Sequence, residues 1–172
     1  VGEPLHTNFK LSSAGGYVGL SSPELPRKTV DKIFGYPEQR GNISYGLSAT
    51  DERVYFIRPT PGAENGAGSF KNILRRPKFS RKRGFFTEPF ELELSSRDDG
   101  AVIRYTTDHS APTTDNGQLY EAPIRVTKST VIRAAAFRRG SWPSRTATHS
   151  FVLGDSEAVT SLPMVSLVTE RK

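Results

Sequence analysis

The segment from Phe90 to Ser95, FELELS, places apolar and polar residues in strict alternation. A strand turns successive side chains to opposite faces, so this period buries one face and wets the other, which a helix does not do. The pattern returns in AVIRY, Ala101 to Tyr105, and in Ile124 to Val126. A more continuous apolar run, VIRAAAF, spans Val131 to Phe137, and TATHSFVL, Thr146 to Leu153, makes a last strand. Between them stand DDG, the long DHSAPTTDNG, KST and RRGSWPS, all rich in residues that favour turns. Short strands at this spacing predict an all-β fold, with a small Greek-key β-sandwich over residues 85–154.

Residues 1–66 also divide into strand-like runs: NFKLS, GYVGLSS, TVDKIFGY, ISYGLSA and VYFIRP. Two prolines and a glycine in RPTPGAEN, Arg58 to Asn65, then stop strand pairing, because proline has no N–H for the ladder. Residues 67–84 combine Gly, Ser and Pro with seven basic side chains and no acidic one. That composition predicts a basic linker, with the apolar patch Phe70 to Leu74 docking as a turn of helix. Residues 155–172 read as a tail leading into a further domain outside this sequence. The start at Val1, without a charged-then-apolar leader in VGEPLHTNF, is that expected of a piece of a longer polypeptide.

Composition narrows the chemistry. Apolar residues make up 35% of the chain, beside 12 Pro and 15 Gly, so each core is small. A β domain of about 70 residues buries only around 60% of its unfolded surface and is marginal without further bracing. The absence of cysteine excludes disulfides, thiolate nucleophiles and Cys-ligated metal centres. No apolar run approaches the roughly 18 residues of a membrane span. Residues 1–66 carry seven basic and seven acidic side chains, so the net charge of +6 is concentrated in residues 67–84.

Several oxygen-rich or charged stretches invite a functional reading. Asp108, Ser110, Thr113, Thr114, Asp115 and Asn116 supply the hard oxygens that calcium prefers, but their spacing lacks the alternate carboxylates and terminal Glu of an EF-hand loop. Beside Pro112 and Gly117 they also suit side-chain-to-backbone turns, which is the reading preferred here. His6, His109 and His149 lie far apart, with no HExxH pair, and no serine sits in a GxSxG elbow. Asp98 and Asp99 precede Gly100 as a hairpin turn, and adjacent carboxylates there point apart instead of forming an acid–base pair. GAENGAG fits neither the phosphate loop nor the dinucleotide fingerprint. No catalytic, cofactor-binding or metal site emerges, and no cofactor is implied. Arg75, Arg76, Lys78, Arg81, Lys82 and Arg83 are candidate polyanion contacts, including nonspecific nucleic-acid phosphates with Phe79 for stacking. Solvated linker charge is the plainer alternative. Trp142 is a candidate for stacking on a sugar face, against packing on the sandwich edge, which is preferred. Asn42, in NIS, is a formal glycosylation acceptor.

The blocks EPF, IRYTTDHSAPT, GQLYEAPI, STVIRAAAFRRG, WPS and THSF, in that order, resemble the chitobiase/β-hexosaminidase C-terminal domain, an Ig-like or fibronectin-like module. His109 stands where that family usually has Gly. HTNFKLSSAGGYVGL, YPEQRGNISYG and PTPGAEN resemble the closing part of a bacterial lamin-tail domain, itself Ig-like, whose opening strands are missing. SLPMVSLVT resembles the lead-in to a spore-coat-protein-H-like kinase domain. The resemblances imply an Ig-like β-sandwich preceded by a partial Ig-like lamin-tail segment, within a multidomain bacterial protein of the cell surface or exterior. The implied role is a non-catalytic spacer and interaction module, whose partners are neighbouring domains of the same polypeptide, a polysaccharide or another surface protein. A carbohydrate-binding accessory module using Trp142 is the alternative. Neither specific nucleic-acid recognition nor a membrane span is expected.

Overall fold

A computed structural model describes residues 9–66 and 68–154. The chain divides into two compact units, one ending at Lys71 and the other beginning at Asn72. All regular elements among the described residues are β-strands, and none of these residues forms a helix long and apolar enough to cross a membrane. His6 and the SLPMVSLVT lead-in lie outside the described residues.

In the first unit, β1 (Gly16–Ser21) pairs antiparallel with β2 (Thr29–Tyr36). A separate antiparallel sheet orders β3 (Ser44–Leu47), β4 (Arg53–Phe56) and β5 (Ser69–Phe70). The apolar run in β4 gives this unit its core: Val54, Tyr55 and Phe56 are buried, as is Tyr36 at the end of β2. The Tyr55 hydroxyl donates to the Glu38 carbonyl at 2.8 Å, and burial pushes its pKa up to about 12. The β1–β2 hairpin contrasts with this core, for Leu20, Val30 and Phe34 are 62%, 65% and 86% exposed. The expected strand in NFKLS is not formed over its described residues. Phe9 and Leu11 are both exposed, so alternation there buries no face. The backbone beyond them serves tertiary bonds instead: Tyr36 Oη donates to the Ser12 carbonyl and the Gln39 N–H to the Ser13 carbonyl.

The second unit is an Ig-like β-sandwich. Its larger sheet is built from β7 (Gly84–Phe86), β10 (Val102–Thr106), β11 (Gln118–Leu119), β13 (Thr130–Phe137) and β14 (Ala147–Leu153), in the spatial order β11-β10-β13-β14-β7. All neighbours are antiparallel except β14 and β7, which run parallel with Phe151 opposite Gly84 and Leu153 opposite Phe86. Two short ladders complete it: β8 (Phe90–Leu92) with β12 (Ile124–Val126), and β6 (Lys78–Phe79) with β9 (Leu94–Ser95). FELELS behaves as its alternation requires. Phe90, Leu92 and Leu94 are buried while Glu91, Glu93 and Ser95 are exposed. The buried three join Ile103, Val126, Ile132, Ala134 and Phe151 in one core, where each fully buried large side chain contributes about 1.5–3 kcal/mol.

Residues 67–84, expected as a linker, are divided between the units. Ser69 and Phe70 pair with β4 in the first, and no helical turn forms between Phe70 and Leu74. From Asn72 onward the segment is part of the second unit. Leu74 is fully buried, and its N–H donates to the Trp142 carbonyl at 2.9 Å. Pro77 is buried and Phe79 half-buried, while Arg75, Arg76 and Lys78 remain exposed. The basic residues thus occupy the wet positions of a segment whose apolar residues dock, and composition alone does not reveal that alternation.

Candidate functional site

The loop between β10 and β12 consumes its own oxygens. Asp108 Oδ1 accepts from both the N–H and the hydroxyl of Ser110, at 3.0 and 2.6 Å. These two bonds hold the Asp108 carboxyl below the usual aspartate range. Thr113 Oγ1 accepts from the N–H groups of Asp115 and Asn116, and Asn116 Nδ2 donates to Ser110 Oγ and to the Ala111 carbonyl. Thr106 Oγ1 and the Arg133 guanidinium tie the loop to the sheet through the carbonyls of Ser110 and His109. Gly117 closes it at φ 97°, where a Cβ would come within 2.9 Å of the Tyr105 carbonyl oxygen. This is the geometry of a turn and crossover. His109 has φ 69°, the left-handed conformation that glycine adopts most easily. The side chain differs from the Gly of the resembled family, but the backbone keeps a glycine-like conformation.

The six candidate cations have different surroundings. Arg75 is committed within the protein: its Nε and backbone N–H donate to the Asp98 carboxylate, at 3.0 and 2.7 Å, and its Nη2 to the Arg97 carbonyl. Both Asp98 oxygens are thereby used. Arg81 lies over the Phe90 ring at 4.9 Å and near Phe86 at 5.9 Å, a cation–π arrangement. Lys78 is exposed on β6. Arg76, Lys82 and Arg83 come together on a groove of about 630 Å³ whose opposite wall includes Thr146, which immediately precedes β14, and Thr148 and His149 near its start. No ion pair is made by Arg76, Lys82 or Arg83 with the described carboxylates. His149 stacks on Phe79 with ring centroids 4.1 Å apart. Burial lowers its pKa from the ordinary 6.5, against an opposing hydrogen bond with the Arg81 backbone and with a smaller push in the same direction from the Arg83 charge.

Residues 92–151 match the family described as Fn3 associated. The matched span runs from the end of β8 into β14 and accords with a fibronectin-like or Ig-like domain in this part of the chain. No curated protein and no solved structure matches the chain.

Trp142 falls inside the Fn3-associated span, in the loop joining β13 to β14, and is half-buried. Its main chain is engaged on both sides: the N–H donates to the Asn72 carbonyl at 2.9 Å and the carbonyl accepts from Leu74. Ser141 Oγ donates to Asn72 Oδ1 at 2.6 Å, and Ser144 Oγ accepts from the Ala136 N–H at 2.8 Å. The RRGSWPS loop is therefore a docking platform for the segment that enters the unit. Trp142 is not among the residues that line the groove. Thr146, Thr148 and His149, on the groove's far wall, were not singled out together by the sequence, where they read only as alternate residues of a last strand.

Proposed function

We propose that the chain is a non-catalytic accessory module, a spacer and interaction piece that positions neighbouring domains of a multidomain bacterial protein at the cell envelope or outside the cell. The Fn3-associated match supports the accessory role. The order of the chitobiase-domain, lamin-tail and kinase-like motifs supports the multidomain setting. The observation that carries the interaction role is the β1–β2 hairpin, which presents Leu20, Leu25, Val30 and Phe34 to solvent. A two-stranded hairpin is at best marginal alone, and large apolar side chains left exposed on both of its faces suit a partner that covers them. Neighbouring segments of the same polypeptide are the partner this reading favours. Hydrogen exchange tests it, measured on the 172-residue chain and again on its native polypeptide. Rapid exchange across Gly16–Tyr36 in the chain alone and slow exchange in the longer protein are expected. Equal protection in the two samples would remove the support for an interdomain surface.

A further inference from the structure

We infer that the groove between Arg76, Lys82 and Arg83 on one wall and Thr146, Thr148 and His149 on the other binds an anionic glycan segment, recognised through its sulfate or phosphate ester groups. This site is separate from the β1–β2 hairpin and does not depend on the spacer reading.

The lining is the first argument. Three permanent cations are gathered within one concavity, and none of them is paired with a described carboxylate. No Asp or Glu lines the groove. Like charges placed together repel, and a groove of one sign collects counterions of the other, so an oxyanion relieves repulsion that the fold leaves in place. Arg76 and Arg83 offer forked donors suited to ester oxygens, and Lys82 adds a compact point charge.

The opposite wall narrows the class of ligand. His149 is stacked on Phe79 with its Nδ1 buried, and beside it Thr146 and Thr148 bring hydroxyls that both donate and accept. Such groups complement sugar hydroxyls as well as ester oxygens. A nucleic-acid strand would gain most from an open aromatic platform, but Phe79, the ring expected to provide one, is covered on one face by His149. The groove contains no other aromatic ring besides that imidazole. Its volume of about 630 Å³ falls within the ~300–1,000 Å³ of small-ligand sites, large enough for a short saccharide segment.

Calorimetric titration of the 172-residue chain with dextran sulfate tests this, with neutral dextran of equal length and a single-stranded oligonucleotide of equal charge as comparisons. The expected order is measurable binding to dextran sulfate, weaker binding to the oligonucleotide and none to neutral dextran. A triple variant, Arg76→Gln, Lys82→Gln and Arg83→Gln, is expected to weaken dextran sulfate binding at least about tenfold, a modest loss for three solvent-screened contacts. The control removes the same charge elsewhere on the unit through Arg97→Gln, Lys128→Gln and Arg139→Gln, and retains affinity within about twofold. Thermal melting checks that both triples fold; should the groove triple not fold, Lys82→Glu alone is read in its place. Equal losses in the two triples would overturn the groove in favour of diffuse net charge. Tighter oligonucleotide than dextran sulfate binding, or no dextran sulfate binding at low salt, would overturn the glycan assignment.

Discussion

His109 shows how one backbone angle can be read against a side chain. It holds φ 69° with a Cβ present, while its carbonyl accepts from Arg133 at 2.7 Å and so anchors the crossover loop to β13. A left-handed residue with a side chain costs about 1–2 kcal/mol relative to the right-handed form, and glycine escapes most of that while losing more freedom on folding. His109→Gly is therefore expected to stabilise the second unit slightly, by about 0.5 kcal/mol, because the two effects partly cancel. His109→Val, branched at Cβ, is expected to destabilise it by more than about 1 kcal/mol. Urea midpoints of the two variants decide the matter: an indifferent valine would mean that the loop does not hold the left-handed angle. The histidine was visible in the sequence as a departure from the glycine usual in the family that this stretch resembles. Its conformational consequence was not, since an angle is set by bonds such as the one from Arg133, 24 residues away.

At the level of strands, legibility followed length and period. β12 coincides with Ile124 to Val126 as expected, β13 and β14 differ from the expected runs by a residue at one end, and β10 is shifted by one residue at both ends. These segments carry enough alternating or apolar residues for periodicity to be felt. β5, β6 and β11 have two residues each, too few for any period, the three of β7, GFF, do not alternate as IRV does in β12, and all four exist because a neighbour supplies the ladder. The same limit hid the docking of residues 72–79, where Leu74, Pro77 and Phe79 are interleaved with cations. Leu74→Ala separates the two accounts. In a solvated linker it would change stability by under about 0.5 kcal/mol; in the observed packing it should cost about 3 kcal/mol, read as a lowered melting transition of the second unit. The candidate cation site was legible as a charge run but not as a groove. Which cations remain available depends on Asp98 and the rings of Phe86 and Phe90, and the other wall comes from a strand more than 60 residues later in the chain. Distance in sequence kept those partners apart.

For the whole molecule, the uneven charge and the two-unit division coincide only in part. The first 66 residues are balanced, whereas the cations of residues 71–83 are mostly built into the surface of the second unit. The β7–β14 pair has a mechanical consequence for that unit. Because the two strands run parallel, tension applied before Gly84 and after Leu153 draws them along their axes in opposite directions. The bonds between them, extended by Gly154 N–H to the Phe86 carbonyl, share the load as in a lap joint; an antiparallel pair pulled from its open end parts one bond at a time. Stretching single molecules by their ends should make the span from Gly84 to Leu153 yield in one high-force event, and a series of small steps across it would contradict a shared load. A unit fastened in this way behaves as an inextensible link up to its rupture force, and then lengthens abruptly.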